Sequence, residues 1–284
     1  MNQTTSCRGF RALLHHDVSA RRMPDPPKSA DASAPFDLDE AAVHMPSVAL
    51  ACAARETLHM GDVVERMLRQ AMTALMSNDR KLAAEVSRMD NIVDRLDEAI
   101  KLYVTKVTRE SLDDRDGRRA MEIIAFAINL EHIGDIIDKN LMELASKKIK
   151  HKYELSKEGA TELAMFHQRI IENLKLAFSV FINEDVRIAR TLIEEKTQLR
   201  VAELGYAESH FARLRDRRPE SIETSSLHLD VLRDLKRIHS HICSVAYPAL
   251  EAAGELQPNR LKDSDVGAGQ DTASDLLPLP PPSS

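Results

Sequence analysis

The sequence predicts an all-α protein, with six long helices arranged as two tandem antiparallel three-helix bundles. Three observations carry this reading. The 284 residues include only 9 Gly, no Trp and 4% aromatic residues, while Ala, Leu, Ile, Met, Glu, Lys and Arg dominate, a composition that favours packed helices over sheets. Apolar residues recur at three- and four-residue intervals over segments of roughly 30 residues, each about 45 Å of helix. The two halves also echo one another. Asp79-Arg80-Lys81-Leu82-Ala83 followed by Val86 resembles Asp185-Val186-Arg187-Ile188-Ala189 followed by Leu192, and Asn129-Leu130-Glu131-His132-Ile133 resembles Asp234-Leu235-Lys236-Arg237-Ile238. The offsets are 106 and 105 residues. Each match alone is weak, but their common spacing implies a duplicated three-helix unit.

Residues 1–45, rich in Ser, Pro, Ala and Asp (Met23-Pro24-Asp25-Pro26-Pro27), lack apolar periodicity and are expected to be disordered. The first helix is expected over 46–76, with Val48, Leu50, Ala54, Leu58, Val64 and Leu68 on its apolar face. Ser77-Asn78-Asp79 interrupts it and supplies an N-cap for the second, 79–109, where Leu82, Val86, Met89, Val93, Leu96, Ile100 and Val104 form a clean stripe. Asp113-Asp114-Arg115-Asp116-Gly117 breaks the pattern before the third, 118–150. Ser156 caps the fourth, 157–182, and Asn183-Glu184-Asp185 opens the fifth, 185–216. Pro219 ends that region. The sixth follows over 222–254, kinked near its end by Pro248, which has no N–H to donate. Residues 46–152 and 153–256 are thus the two bundles. The segment 257–284, ending Leu277-Pro278-Leu279-Pro280-Pro281-Pro282, cannot be helical and is expected to be disordered.

Several function classes are disfavoured. The net charge of −6 leaves no general nucleic-acid footprint. Cys7, Cys52 and Cys243 show no paired spacing, so neither a disulfide framework nor a thiolate zinc site is expected, and reduced thiols fit a cytoplasmic protein. No apolar run approaches the ~20 residues that span a bilayer, and Arg8, Arg11, Arg21 and Arg22 flank no signal-like apolar core. Lys147, Lys148, Lys150 and Lys152 read as cations complementing a helix dipole, and Arg213, Arg215, Arg217 and Arg218 as a solvated cluster. There is no Gly-rich phosphate loop, H-E-x-x-H or G-x-S-x-G, so the chain does not read as an enzyme.

The stretch Asn129-Leu130-Glu131-His132-Ile133-Gly134-Asp135, followed by Ile136-Ile137-Asp138, places Glu131, Asp135 and Asp138 at i, i+4 and i+7 on one helix face. Like charges at this spacing cost roughly 0.2–0.5 kcal/mol per pair, and Gly134 adds about 1 kcal/mol of helix penalty. Asp90, Asp94 and Asp97 repeat the pattern on the second helix. Neighbouring helices would set Asp90 and Asp94 across a groove from Glu131 and Asp135, where Gly134 leaves room for close approach. Such carboxylates would bind a hard or borderline cation such as Mg, Ca, Mn, Fe or Zn. Alternatively the acids face a basic partner, or face solvent paired with Arg95, Lys101 or Lys139. Spacing alone favours the solvated arrangement.

The motif Asn-Leu-Glu-His-Ile-Gly-Asp is similar to the repeated Glu/Asp-x-x-x-Asp signature of the PhoU family. The likeness continues through Ile136-Ile137-Asp138-Lys139-Asn140-Leu141-Met142-Glu143-Leu144, and takes in Ser221 to Asp230 and Leu232 to Ile238. These segments resemble above all the cytosolic PhoU-like portion of bacterial sodium/phosphate cotransporters, over about residues 46–256. The resemblance implies two three-helix bundles, a role in phosphate homeostasis, and a divalent or trivalent metal on Glu131, Asp135, Asp90 and Asp94. It implies a membrane phosphate transporter or an associated sensor as partner, a cytoplasmic location peripheral to the inner membrane through that partner, and no nucleic acid; it leaves homo-oligomerisation open. The second half departs from the family pattern, offering Lys196 and Arg200 where Asp90 and Asp94 stand, and Lys236 and Ser240, flanked by His239 and His241, for Glu131 and Asp135. Cations repel an incoming ion and have no lone pair to give it, so no second full cluster is expected. The rival readings are a metal-free scaffolding bundle, a remnant of a cotransporter, and a metal-dependent hydrolase. The hydrolase would need a His-Asp pair flanking the carboxylates, whereas His132 lies about 100° around the helix from Glu131.

Overall fold

The computed structural model describes residues 35–256, which form helices with no strand among them. Helix α1 (Pro46–Ser77) starts at the proline, whose missing N–H is harmless in a first turn. It ends where Asn78 adopts a left-handed conformation (φ 59°). Asp79 then caps α2 (Arg80–Val107), its side chain accepting from the N–H groups of Lys81 and Leu82. The same device recurs after α5 (Lys157–Asn183): Glu184 is left-handed (φ 52°) and Asp185 accepts from Arg187 and Ile188 to start α6 (Val186–Arg215). The internal repeat therefore extends to the turn chemistry itself.

Helix α3 (Asp114–Ile136) begins four residues earlier than expected. The acidic run that reads as a break is its cap and first turn: Asp113 accepts from the Asp116 N–H at 2.7 Å, and Asp114 and Asp116 complement the dipole. The expected single third helix also divides. A π-helical turn, Ile137–Met142, separates α3 from α4 (Glu143–His151). The buried pairs Ile136/Ile137 and Leu141/Met142 stand five residues apart, and a widened turn keeps both facing inward where an α-helix would rotate one pair out. The sixth helix divides too, into α7 (Pro219–Glu223), α8 (Ser225–Ile242), a 3-10 turn at Cys243–Val245, and α9 (Ala246–Ala252). The 3-10 turn lies just before Pro248, which cannot donate to the Ser244 carbonyl, so the expected kink takes that form.

Helices α1, α2 and α3 pack on one another, as do α5, α6 and α8. The two bundles share one continuous apolar core, joined where α1 packs on α5 and α3 on α8. At the first of these contacts Gly61 makes room for an aromatic ring: a Cβ there would sit 2.6 Å from Cε1 of Phe178, which would have to shift. Phe178 in turn meets Phe126 edge-on, with ring centroids 6.3 Å apart.

The expected disorder of residues 1–45 is corrected at its end. Residues 1–34 and the tail from 257 lie outside the described residues, but 35–45 strap the first bundle. The buried Glu56 carboxylate accepts from the N–H groups of Phe36 and Asp37 at 2.8 and 2.7 Å, and the Tyr103 hydroxyl donates to the Asp39 carbonyl. Ala42 and Val43 are buried beside a 3-10 turn at Glu40–Ala42. An apolar-periodicity search misses such a segment because side-chain and main-chain hydrogen bonds hold it. The lysine cluster also departs from expectation: Lys148 is buried and donates to Asn78 Oδ1 at 2.6 Å, clamping α4 to the α1–α2 turn.

Gly61→Ala gains roughly 1 kcal/mol of helix propensity but overpacks the α1–α5 contact, which costs about 1–3 kcal/mol. The expected outcome in urea unfolding is a net loss of stability, relieved in the Gly61→Ala/Phe178→Leu double variant. Additive effects of the two substitutions would contradict this packing account.

Candidate functional site

The structure places all four sequence-identified carboxylates on the groove between α2 and α3. It adds Asp97 and Asp138 to them, and grades the six by depth. Asp90 and Asp97 are buried, Glu131, Asp135 and Asp138 are half-buried, and Asp94 is exposed. Gly134 makes the depth of Asp90 feasible: a Cβ on Gly134 would lie 2.8 Å from Asp90 Oδ1 and 3.3 Å from Val93 Cγ1. One side chain's absence on α3 thus seats a carboxylate of α2.

This crowding has an electrostatic signature. Burial first, then the charges of Asp94, Asp138 and Asp135, push Asp90 up to about 7, with Lys139 opposing. Asp94 and Glu131 are raised as well, by burial and then by Asp135. Asp90 Oδ1 and Asp97 Oδ1 are buried without a hydrogen-bond partner among the described residues, and each such orphan costs about 1–3 kcal/mol.

The cations that would make this a merely solvated face are partly engaged. Lys139 donates to Asp135, and Lys101 to Asp97 at 2.6 Å, whereas Arg95 turns to the Asn91 carbonyl. As the side chains stand, no group of three or more His, Cys, Asp or Glu residues among the described residues converges closely enough to hold an ion. The donor chemistry, hard carboxylate oxygens with buried unsatisfied members, nonetheless fits a hard cation. His132 is half-exposed beside Glu131, 3.7 Å away, and its ring meets His241 of α8 edge-on at 5.1 Å.

The matching groove of the second bundle is built differently. Lys196 donates to the Tyr247 hydroxyl at 3.1 Å, and Lys236 to Glu203 at 2.7 Å. His239 points inward to Asn173 (2.9 Å) and Cys243, while His241 points across to Asn129 of α3 (2.9 Å). Burial holds the Cys243 thiol protonated, at about 12, and the His239 imidazole neutral, at about 4, so the pair is not a thiolate nucleophile with its base.

Sequence reasoning missed a polar cluster at one end of this bundle. Glu162 takes a bidentate pair of hydrogen bonds from Arg213, both 2.8 Å, and a third from Ser209. His228 lies 3.5 Å from the same carboxylate and stacks on His210, with centroids 4.7 Å apart. The Arg213 cation read as solvated is therefore buried. Its residues come from α5, α6 and α8, and only the position of Arg213 on the Leu192–Leu199 face of α6 could have signalled it.

Three comparisons place the chain among known proteins. The "PhoU domain" family model matches twice, at residues 57–143 and 163–248, which together make up more than half of the chain. The two matches start 106 residues apart and end 105 apart, the spacing of the internal repeat. A putative inorganic phosphate export protein, YjbB, of Escherichia coli O157:H7 is 38% identical over 221 residues, or 78% of this chain and 40% of that protein. The chain thus spans about two fifths of the length of such relatives. The phosphate-specific transport system accessory protein PhoU of Serratia marcescens is 28% identical over 48% of this chain and 56% of that protein. The crystal structure of PhoU from Pseudomonas aeruginosa shares the fold, with a TM-score of 0.66 at 20% identity over 73% of this chain and 98% of that one.

Asp90 carries a testable consequence. Its folded-state pKa lies above the ordinary value, so between about pH 4 and 7 the folded state holds a proton that the unfolded chain releases, and stability falls as pH rises through that window. At 1.36 kcal/mol per unit the shift caps the effect at about 4 kcal/mol; with solvent screening at the groove edge, roughly 1–2 kcal/mol is expected. In chelator-treated protein, Asp90→Asn should be more stable than wild type by that amount at pH 8, with the gap closing by about pH 4. A variant less stable at pH 8 would mean that Asp90 is not repelled by its neighbours.

Proposed function

The chain belongs to the PhoU domain family, and from that premise we propose that it regulates phosphate uptake and homeostasis by docking on a membrane phosphate transporter or an associated sensor. The observation that carries this reading is the coincidence of three features. The family matches twice at the period of the repeat, the first match contains the acidic groove, and the groove holds buried carboxylate oxygens without partners. The role is regulatory binding, not catalysis. No helix among the described residues is long and apolar enough to cross a membrane; the proposed partner would hold the chain at the cytoplasmic side of the inner membrane.

Asp90, Asp94, Glu131 and Asp135 would hold the metal, a divalent or trivalent ion such as Fe, Zn, Mg, Mn or Ca. Its contribution when bound is charge: it offsets the repulsion that raises Asp90 and ties α2 to α3, giving the docking surface one shape. The protein's own residues do the rest. Gly134 lets the helices close, and Lys139, which neutralises Asp135 in the ion's absence, must give way.

A ligand at 100 times its Kd stabilises a fold by about 2.7 kcal/mol, or roughly 5–10 °C in Tm for a chain of this size. Wild type titrated with these ions should show such a rise with one of them, and the Glu131→Ala/Asp135→Ala variant should not. Elemental analysis well below stoichiometry, together with identical behaviour of the double variant, would favour the metal-free scaffold. The regulatory role is tested in a deletion strain: unchanged phosphate uptake and unchanged phosphate-responsive expression would sink it.

A second reading has a specific observation behind it. The 38% identity is to proteins named for putative inorganic phosphate export, and on this reading the transporter engaged moves phosphate outward. Efflux of labelled phosphate from preloaded deletion cells distinguishes this reading, since only a partner that exports would change it.

A further inference from the structure

We propose that one end of the first bundle, formed by the α1–α2 turn, the close of α4 and the start of α5, is a contact surface for an anionic phospholipid membrane. Six exposed cations meet there. Arg80 and Lys81 open α2, Lys147, Lys150 and Lys152 stand at the close of α4, and Lys157 opens α5. The hydrogen bond from buried Lys148 to Asn78 fixes the end of α4 beside the α1–α2 turn, and a short link joins it to α5. None of the six side chains makes an ion pair or hydrogen bond among the described residues. Of the acids within 78–81 and 146–158, Asp79 is committed to capping α2 and Glu158 to Arg218, at 2.7 Å, which leaves Glu154.

Helix dipoles do not account for this cluster. A helix C-terminus carries roughly half an elementary negative charge, which a single lysine offsets, yet α4 ends among three exposed lysines. Arg80, Lys81 and Lys157 stand at helix N-termini, where the dipole is positive and a cation is disfavoured, and α2 has no acid in its first turn. Local helix physics thus opposes half of the cluster, and an external anion compensates it. The form of that anion follows from the donors. The main-chain N–H groups that would cradle one compact phosphate are already taken, those of Lys81 and Leu82 by Asp79 and that of Gly159 by Ser156. What remains is a compact patch at the rod ends, five of its six cations lysines, whose mobile point charges suit a diffuse array of headgroups. Tyr153, stacked on His151 with ring centroids 5.2 Å apart, adds an amphipathic ring of the kind found at membrane–water interfaces. A nucleic-acid duplex is met instead by a stripe along a helix or by a groove. The inference needs neither a metal nor a protein partner, so it stands or falls apart from the regulatory reading.

Cosedimentation of the full chain with vesicles tests this. Wild type should bind vesicles of mixed phosphatidylglycerol and phosphatidylcholine, and not vesicles of phosphatidylcholine alone. Raising the salt from about 0.1 M to about 1 M, which shortens the screening length from about 10 Å to about 3 Å, should release it. Each cation near such a surface is worth ~5-fold in partitioning, so Lys147→Glu/Lys150→Glu should lose at least ~25-fold, as should Arg80→Glu/Lys81→Glu. The control is Arg109→Glu/Arg118→Glu, the same charge change at exposed positions on the opposite end of the bundle, which should bind as wild type does. Arg80→Glu/Lys81→Glu should also raise Tm by about 1–4 °C, because acids suit a helix N-terminus; a role for these cations in the fold predicts a fall. A wild type that ignores the anionic vesicles at about 0.1 M salt would overturn the proposal. So would equal losses in the control variant, a fall in Tm in place of the rise, or binding to inorganic phosphate or a DNA duplex without binding to the vesicles.

Discussion

The closeness of α2 to α3 at Gly134 is the constraint on which the acidic groove depends. The Gly134 Cα stands where a Cβ would collide with the Asp90 carboxylate, so the helices approach far enough to bury Asp90 and Asp97 while leaving Asp94 at the rim. Burial in turn strips the acids of water, and their mutual repulsion keeps Asp90 protonated far above the usual carboxylate range. The site therefore contains a tension that the apolar core has to hold: Val93, Leu96, Leu130 and Ile133 flank the acids in sequence and are all fully buried. A cation in the groove would relieve that tension, and Lys139 relieves part of it through Asp135.

The duplication explains the symmetry of the scaffold, on which the two grooves have diverged in their side chains. The turns between the first and second helices of each unit use the same pair of devices, a left-handed residue and then a capping aspartate, at Asn78/Asp79 and Glu184/Asp185. What differs is the groove. Carboxylates line the first, whereas Lys196 and Lys236 occupy the second and satisfy themselves internally through Tyr247 and Glu203. The second unit instead concentrates its buried polarity at one end, around Glu162 and Arg213. Its outer helix also leaves Val201, Leu204 and Phe211 exposed among the described residues.

The sequence by itself determined the all-helical class, the internal duplication, the positions of the long helices and the helix-opening caps. These follow from local physics: apolar periodicity, the side-chain oxygens of Asp79, Ser156 and Asp185, and the missing N–H of Pro248. The pairing of Asp90 and Asp94 with Glu131 and Asp135 was legible too, because consecutive antiparallel helices must be neighbours. Tertiary structure decided the rest, because each remaining feature depends on groups far apart in the chain. The strap over residues 35–45 exists because Glu56 and Tyr103 reach it. The depth of Asp90 is set by Gly134 and Val93, and the burial of Arg213 by Glu162, 51 residues away. The π-turn at Ile137–Met142 arises from a five-residue apolar spacing that matters only once a core exists on both sides of it. Periodicity says which face of a helix avoids water; only the packed chain says what that face, or its opposite, meets.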